Sequence, residues 1–322
     1  MQIIVKIISR FIPCAVALSA TWAFAAGLRP DSVTELPFTT STVPSVWSGG
    51  ALMRLEDADT GRPRVEIFDR NGSKIAGLTI AIPGASQINV LEGCFSRGRD
   101  GTVAVCGSAY NSASQGFSFL AIFAPGAEHN RVVRTSPYKA RRVAVLADGS
   151  IWTLGHEARE GVETDPAHHV VRRYRADGTP AGSWLPNNSF ANKLDKWHVD
   201  RYSEMAASAT RAGWVSQTAR AYVEFDASGR MTAQVPMPPN ELERHRISGL
   251  ALCDDGRVVL GLVDQQPATA AFQLFELDRD QAAFQRIATT ERVGSLIGCE
   301  EGRLAAGGTR LGGPVIRWLA WE

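Results

Sequence analysis

The sequence predicts an all-β protein, folded as a six-bladed β-propeller of four-stranded antiparallel blades. Composition and two repeated sequence motifs, called the first and second phrase below, support this prediction. Hydrophobic residues make up 44% of the chain, which also contains 30 glycines and 16 prolines, so a large core alternates with many turns. Both phrases return with a period of about 50 residues, and such a period is typical of propellers and solenoids.

The first phrase is an apolar strand that ends in a polar turn, usually with glycine. Its copies cover residues 65–72, 120–126, 171–178, 222–229, 274–280 and 315–321. The turn glycines of the first four copies, at positions 72, 126, 178 and 229, are separated by 54, 52 and 51 residues. The near-constant spacing favours one structural unit repeated around a ring.

The second phrase precedes the first and contains a tight turn between two apolar strands. Clear copies, with Asp-Gly or Glu-Gly at the turn, cover residues 143–152, 250–259 and 296–305, and looser copies centre on residues 48–50, 100–101 and 211–213. Glycine accepts the positive φ that two-residue hairpin turns require, so Asp-Gly between apolar runs indicates a hairpin.

Two hairpins per period give four strands per blade, and six such blades account for the chain from residue 26 onward. The sixth copy reaches Trp321 one strand short, and we expect residues 33–38 to supply its missing outer strand. This closure removes the open edge that the ring would otherwise leave. We therefore predict one propeller domain over residues 26–322. A pair of β-sandwiches or a solenoid made of similar hairpins is the alternative.

At the level of these repeats the chain resembles six-bladed propellers of the NHL-repeat, TolB-like and gluconolactonase-like kind. The shared features are apolar strands and Asp-Gly or Asn-Gly turns over residues 33–322. The resemblance implies a fold and not a function, because one architecture hosts many unrelated activities. Its gluconolactonase-like branch implies a metal-assisted hydrolase as one alternative.

Residues 1–25 have the features of a secretory signal peptide. Lys6 and Arg10 precede an apolar stretch, and Ala23-Phe24-Ala25 forms an A-x-A cleavage site. We expect an exported protein, periplasmic or extracellular, with no membrane span after signal removal; an uncleaved anchor is the alternative.

Charge argues against a nucleic-acid partner. The chain has 34 Lys and Arg residues against 33 Asp and Glu residues, whereas nucleic-acid binders usually carry a basic excess. Nearly all the basic residues are arginine, which we attribute first to codon usage and second to selection for bidentate contacts with anions.

Four cysteines follow the signal peptide, and an even number in an exported chain indicates disulfides. Cys94 and Cys106 flank a hairpin turn symmetrically, so we predict that they form a disulfide. Cys253 and Cys299 occupy equivalent places in two repeats. They could pair across neighbouring blades or remain buried thiols, and the sequence leaves both open.

The long connections of the predicted blades share one face, which we call the loop-rich face. Together with the mouth of the channel, this face is the default binding site of a propeller. Polar and aromatic residues from its longest loops form the candidate binding set: Tyr110, His156, His168, Trp197, His198, Asp200 and Tyr202. Aromatic surfaces beside charged groups suit a protein, peptide or glycan ligand.

No catalytic motif or cofactor-binding motif is present, and no catalytic residue is assigned. The leading hypothesis is therefore a binding or scaffold module. The alternative is a metal-dependent, lactonase-like hydrolase or lyase with an ion at the channel mouth. Calcium there would need oxygen donors such as Asn89, Glu92, Asp200 and Glu204, and zinc could use His156 with His168 or His169. The spacing of these residues matches no tight ligand pattern, so we interpret the histidine-rich loop as a solvated segment.

Overall fold

The computed structural model describes residues 27–37, 45–56, 62–157, 167–189, 203–238, 245–264, 272–289, 294–310 and 313–322. Their strands form six antiparallel sheets around a central channel, which confirms the predicted all-β six-bladed propeller. Within these ranges the only helix is a single 3-10 turn, Asn187–Ser189. No helix in them is long and apolar enough to cross a membrane.

Each blade runs from an inner strand at the channel to an outer strand at the rim. Blades 1 to 3 contain β2(Ser45–Ser48), β3(Ala51–Glu56), β4(Arg64–Phe68), β5(Lys74–Thr79); β6(Gln87–Arg97), β7(Val103–Tyr110), β8(Gly116–Phe123), β9(Arg131–Arg134); and β10(Tyr138–Val145), β11(Ile151–Glu157), β12(His169–Tyr174), β13(Pro180–Pro186). Blades 4 to 6 contain β14(Ser203–Ala207), β15(Arg211–Ser216), β16(Ala221–Asp226), β17(Met231–Pro236); β18(His245–Leu252), β19(Val258–Asp264), β20(Phe272–Asp278), β21(Ala283–Arg286); and β23(Leu296–Glu300), β24(Arg303–Arg310), β25(Gly313–Trp321).

The N-terminal strand β1(Gly27–Glu35) completes blade 6, as the sequence predicted, but it lies several residues earlier than expected. It pairs antiparallel with β25, from Leu28 opposite Trp321 to Glu35 opposite Val315. The strand overlaps the expected range 33–38 at residues 33–35, and beyond its end Leu36 N–H donates to Pro314 O (3.2 Å). A short strand β22(Ala288–Thr289) adds to the outer edge of β1 in parallel, so this sheet has five strands.

Blade 4 departs from the predicted turn at residues 211–213, because these residues belong to β15 and the turn lies at Ala209–Thr210. Gly213 is required by packing: a Cβ there would lie 2.8 Å from the hydroxyl of Tyr222 and 2.9 Å from Leu252. The glycine therefore marks a close approach between blades and not a turn.

The hydrophobic core is divided among the seams between blades. Six buried apolar clusters each combine residues of two adjacent blades, with one cluster per seam around the ring. The seam between blades 3 and 4 holds Trp152, Trp214 and Phe225, all at most 2% exposed. Because burying one large apolar side chain contributes about 1.5–3 kcal/mol, the seams supply most of the driving force for closing the ring.

The face opposite the loop-rich face carries the short turns, and we call it the base. Every pair of adjacent blades is linked there by a polar or covalent contact. In ring order these are Ser48 Oγ to Arg97 O (2.8 Å), Val145 N to Ser96 Oγ (3.1 Å), Ala147 N to Ala209 O (3.0 Å), Ala209 N to Asp254 Oδ1 (2.7 Å), the Cys253–Cys299 disulfide, and Arg70 Nη1 to Glu301 Oε2 (3.1 Å). The base is therefore a closed circuit of contacts.

Cys94 and Cys106 are also bonded, with Cα atoms 5.3 Å apart, and they join β6 to β7 within blade 2. The second disulfide, Cys253–Cys299, joins blade 5 to blade 6. Of the two arrangements that the sequence left open for this pair, the structure has the cross-blade bond.

A buried carboxylate lies in the seam between blades 4 and 5. Both oxygens of Glu224 accept hydrogen bonds, from Arg211 (3.1 Å), Tyr222 (2.7 Å), Thr232 (2.8 Å) and Arg279 (2.8 and 3.2 Å). Burial acts to raise the pKa of Glu224, but the hydrogen bonds outweigh it and lower the pKa. We call these five residues the Glu224 cluster. Both oxygens of this carboxylate are satisfied within the protein.

Candidate functional site

The central channel holds a cavity of about 1080 Å³, lined by the inner strands of all six blades. Much of its wall consists of small residues, including Gly249, Ser248, Ser295 and Ala206. Small side chains on the inner strands leave this space empty, whereas bulky apolar ones fill the seams. A cavity of this size is in the range that holds small organic ligands.

An ion pair crosses the channel at the base. Arg99, in the β6–β7 turn of blade 2, bonds Asp254, in the β18–β19 turn of blade 5. These blades stand opposite each other in the ring. The bridge therefore spans the channel mouth at the base.

A second ion pair lies in the channel wall. Arg142 of β10 donates from Nε and Nη2 to the two carboxylate oxygens of Glu204 on β14, each at 3.3 Å. The side chain of Arg142 is 7% exposed. The inner strand of blade 3 shifts register between Ala140 and Arg142, and register shifts of this kind re-aim side chains.

The wall of blade 2 makes room for this arginine. Gly93 has a positive φ of 70°, and a Cβ there would lie 3.5 Å from Nε of Arg142. It lies in an irregular part of β6, between Val90 and Phe95, next to the bonded Cys94. The Cys94–Cys106 disulfide therefore anchors the segment against which the guanidinium packs.

Blade 6 opens the cavity sideways. The cavity wall there includes residues of the second and third strands, β24 and β25. Gly307 and Gly308 of β24 line this part, and a Cβ on Gly308 would lie 3.2 Å from Nε of Arg317 on β25. The two glycines thereby leave room at the cavity for Arg317 of the third strand.

Blade 5 contributes Arg246, near the start of β18 and exposed at the cavity wall beside Val263 and Phe272. Among the described lining residues, the arginines are Arg99, Arg142, Arg246 and Arg317, and the carboxylates are Glu204 and Asp254. Each carboxylate already bonds an arginine. Among the described lining residues, arginines therefore outnumber carboxylates by four to two.

The predicted binding residues fall into two groups. Tyr110 is the last residue of β7, His156 lies one residue before the end of β11, and His168 directly precedes β12. All three are on the loop-rich face, outside the cavity wall. Both histidines are 6% exposed, so neither offers a free surface. Trp197, His198, Asp200 and Tyr202 lie outside the described residues.

The surroundings of His156 do not suit a metal ion. Its pKa is lowered from 6.5 to about 4, first by burial and then by the positive charges of Arg141, Lys139 and His168. Cationic neighbours that oppose a proton on the imidazole also oppose zinc. The zinc alternative at His156 therefore has no electrostatic support.

The predicted oxygen donors for calcium do not converge among the described residues. Glu204 accepts hydrogen bonds from Arg142. Asn89 is exposed, and its Oδ1 accepts a hydrogen bond from Nε2 of Gln87 (3.2 Å). Asp200 and the side chain of Glu92 lie outside what the structure describes. Within the described ranges, no group of three His, Cys, Asp or Glu residues is placed to hold a metal.

Sequence reasoning missed the channel arginines. Arg142, Arg246 and Arg317 are far apart in the chain and do not fall at equivalent positions of their blades, so no motif connects them. The arginine excess was the one available signal, and codon usage was an adequate explanation for it.

No family model matches the chain, and no curated protein is similar to it. Solved structures are similar. A protein of unknown function from Dyadobacter fermentans has 11% identity and a TM-score of 0.54, over 92% of this chain and 100% of that one. A member of the DUF4221 family from Bacteroides vulgatus has 10% identity and a TM-score of 0.50, over 92% and 98%. Virginiamycin B lyase from Staphylococcus aureus has 11% identity and a TM-score of 0.47, over 92% and 99%. At these identities the likeness extends to the fold alone, and the chain is a six-bladed β-propeller.

Proposed function

We propose that this protein is an exported, non-enzymatic binding module that receives its ligand in the central channel from the loop-rich face. The ligand is a protein, peptide or glycan segment small enough to enter the channel. The observation that supports this proposal is the cavity of about 1080 Å³, reached by all six inner strands and crossed at the base by Arg99–Asp254.

The architecture suits binding because its two ends differ. Contacts between adjacent blades close a circuit at the base, and the long connections emerge at the opposite face. A rigid frame that holds a preformed cavity lowers the ordering cost of binding. Loops on such a frame can vary without disturbing the blades, which is the common way that propellers acquire ligands.

The test uses protein produced from the full-length sequence, screened against a glycan array and a peptide library. Gly307→Trp should abolish binding of any ligand found, because Gly307 lines the cavity and a Cβ there would make only ordinary contacts, 3.7 Å from Ile297 and Ser295. The matched control Met231→Trp adds the same ring to an outer strand, where the methionine is 42% exposed. Equal loss in both variants, or no loss in either, would argue against a channel ligand.

Export is part of the proposal and has its own test. The mass of protein recovered from the periplasm or medium should correspond to a chain that begins at Ala26. An intact N-terminus in a membrane fraction would instead support an uncleaved anchor.

The metal-dependent hydrolase is tested by melting the protein after EDTA treatment and after adding calcium or zinc. A ligand that binds only the folded state raises the melting temperature by mass action. A rise of several degrees with one metal, reversed by EDTA and accompanied by hydrolysis of a lactone or ester, would replace the binding proposal with the hydrolase.

A further inference from the structure

We infer that blade 3 has a second binding site, on the loop-rich face and outside the channel, where Lys139, Arg141 and His156 bind a phosphate group. None of the three residues lines the cavity, so the site goes beyond the proposed function. The inference follows from three observations: the three side chains lie close together, the two cations have no carboxylate partner among the described residues, and two buried nitrogen atoms of the group lack a hydrogen-bond partner there.

The first observation is the position of the three side chains. Lys139 of β10 stands directly opposite His156 of β11. Residues paired in this way have Cα atoms about 4.5–5.5 Å apart and side chains on the same face of the sheet. Arg141 is the extra residue where the register shifts between Ala140 and Arg142, and its Cα lies at most about 7 Å from that of Lys139. Lysine and arginine side chains are long enough to meet on one group across these separations.

The electrostatics of the group agree with this closeness. Burial and then the positive charges of Arg141, Lys139 and His168 lower the pKa of His156 to about 4. Because the effect of a charge falls with distance, the cations lie near the imidazole. At neutral pH the ring is therefore uncharged, and it can donate one N–H to a ligand without adding a further positive charge.

The second observation is that the two cations are not compensated within the described part of the chain. The neighbouring described carboxylates bond other arginines: Glu204 accepts from Arg142, and Glu157 accepts from Arg172 at 2.6 Å. No described carboxylate forms an ion pair with either cation. Like charges held close together oppose folding, and a bound anion would remove this cost.

The third observation concerns two buried nitrogen atoms, Nδ1 of His156 and Nε of Arg141, which have no hydrogen-bond partner within the described ranges. Buried polar groups are normally satisfied, so each exception requires an explanation. His156 is 6% exposed, whereas Lys139 and Arg141 are both partly exposed. A bound group would therefore meet the two cations first and the imidazole beneath them.

A phosphate group fits this set of donors. Its oxygens are arranged tetrahedrally and accept hydrogen bonds from several directions. Arginine offers paired, charge-assisted hydrogen bonds to phosphate, and lysine offers a compact positive charge. The imidazole N–H adds a neutral donor. The phosphate can be the free ion or an ester group of a larger molecule, and the experiment separates these two sources.

The experiment is calorimetric titration of protein produced from the full-length sequence with inorganic phosphate and with glucose 6-phosphate, at constant ionic strength, with glucose as the neutral control. At least one phosphate compound should bind wild-type protein saturably, and the tighter of the two identifies the ligand as the free ion or an ester. Lys139→Gln and Arg141→Gln should each weaken binding about tenfold or more, because each removes a charge-assisted hydrogen bond. Arg141→Lys keeps the charge and should weaken binding less than Arg141→Gln.

Arg175→Gln is the matched control, because it removes the same charge from the same blade at an exposed position in the turn between β12 and β13, at the base. It should bind phosphate as wild type does. Saturable binding is the readout because phosphate stabilises most proteins non-specifically. The ligand-free Lys139→Gln and Arg141→Gln variants should not melt earlier than wild type, since each substitution relieves repulsion between like charges. No saturable binding to wild type, equal weakening in Arg175→Gln, or weaker binding only in variants that also melt earlier would overturn the inference.

The phosphate site and the channel function fail separately. Gly307→Trp should leave phosphate binding unchanged, because Gly307 lines the cavity and the three site residues do not. If phosphate binding were lost in Gly307→Trp but kept in Arg141→Gln, the phosphate would bind in the channel and the inference would be wrong.

Discussion

Two arginine-rich regions of this propeller use the same side chain in opposite ways. In the Glu224 cluster, two arginines, a tyrosine and a threonine converge on one fully buried carboxylate. In the channel wall, four arginines share two carboxylates around a cavity. Both regions have two arginines for each carboxylate, but in the seam both arginines bond the carboxylate, whereas in the channel Arg246 forms no ion pair with a carboxylate of the described residues.

The difference teaches that the surroundings of an arginine, and not its presence, decide its role. A buried ion pair is strongly destabilising when one partner is removed, because the other is left uncompensated. An arginine exposed to a cavity keeps its water and costs little to change. Stability and ligand affinity should therefore respond to different substitutions.

The largest expected effect is on the Glu224 cluster. Glu224→Gln should lower the free energy of unfolding by about 3–5 kcal/mol, since it leaves Arg211 and Arg279 without a buried counter-charge. Chemical denaturation measures this loss. Glu276→Gln is the control, because Glu276 is 25% exposed and 3.8 Å from Arg257, and it should cost less than about 1 kcal/mol. If both substitutions lowered the free energy of unfolding equally, the buried ion pairs of the Glu224 cluster would contribute no more to stability than a more exposed ion pair.

Removing each disulfide should distinguish a bond that only stabilises a seam between blades from one that also supports the channel wall. Cys253→Ser with Cys299→Ser opens a bridge that spans 46 residues, and should cost about 4 kcal/mol on the chain-entropy model. Cys94→Ser with Cys106→Ser opens one that spans 12 residues, and should cost about 3 kcal/mol. Only the second pair should also weaken binding of a channel ligand found in the screen, because Cys94 adjoins the glycine packed on Arg142. Weaker ligand binding in the first pair alone would contradict this assignment.

The pH dependence of stability should expose the cationic surroundings of His156. Its folded pKa of about 4 lies below the ordinary 6.5, so the unfolded chain binds this proton first as pH falls. Stability from this group is therefore present at neutral pH and is lost between about pH 6.5 and 4, by up to about 3 kcal/mol. His156→Asn should flatten the wild-type curve in this window when unfolding is followed by denaturant titration. His129→Asn, at an exposed position, should leave the curve unchanged.

The smallest expected effect on stability is at the base. Arg99→Gln should change the free energy of unfolding by less than about 1 kcal/mol, because the arginine is 45% exposed and its partner Asp254 is 39% exposed. It should nevertheless speed dissociation of a channel ligand found in the screen severalfold, since the far mouth of the channel would open. Arg303→Gln breaks a similarly exposed pair, 3.3 Å from Asp31 at the rim, and should leave the dissociation rate unchanged in stopped-flow measurements. Equal dissociation rates in the two variants would show that the bridge does not close the channel.

Much of the fold could be predicted because its signals are local. Asp148-Gly149 and Asp255-Gly256 form the hairpin turns that their residue types require, and both glycines have positive φ. Where the signal was ambiguous, the prediction erred by a few residues, as at Gly213 and at the N-terminal strand. At Gly213 the close approach of Leu252 from the next blade, and at the N-terminus the pairing with β25, decide the local structure.

The candidate site could not be predicted in the same way. His156 was chosen because its loop is rich in polar residues, yet the side chain is buried among cations. Arg246 and Arg317 stand in ordinary strand contexts, and their chemistry depends on which blades face each other.

The sequence by itself therefore determined the repeat, the number of blades and the closure by an N-terminal strand, because turn chemistry and apolar periodicity act within a few residues. Only the tertiary structure decided where the inner strands leave a cavity, which of its carboxylates form ion pairs, and which arginines line it. These properties depend on closing the ring, which brings residues more than 100 positions apart, such as Arg142 and Arg246, to one channel.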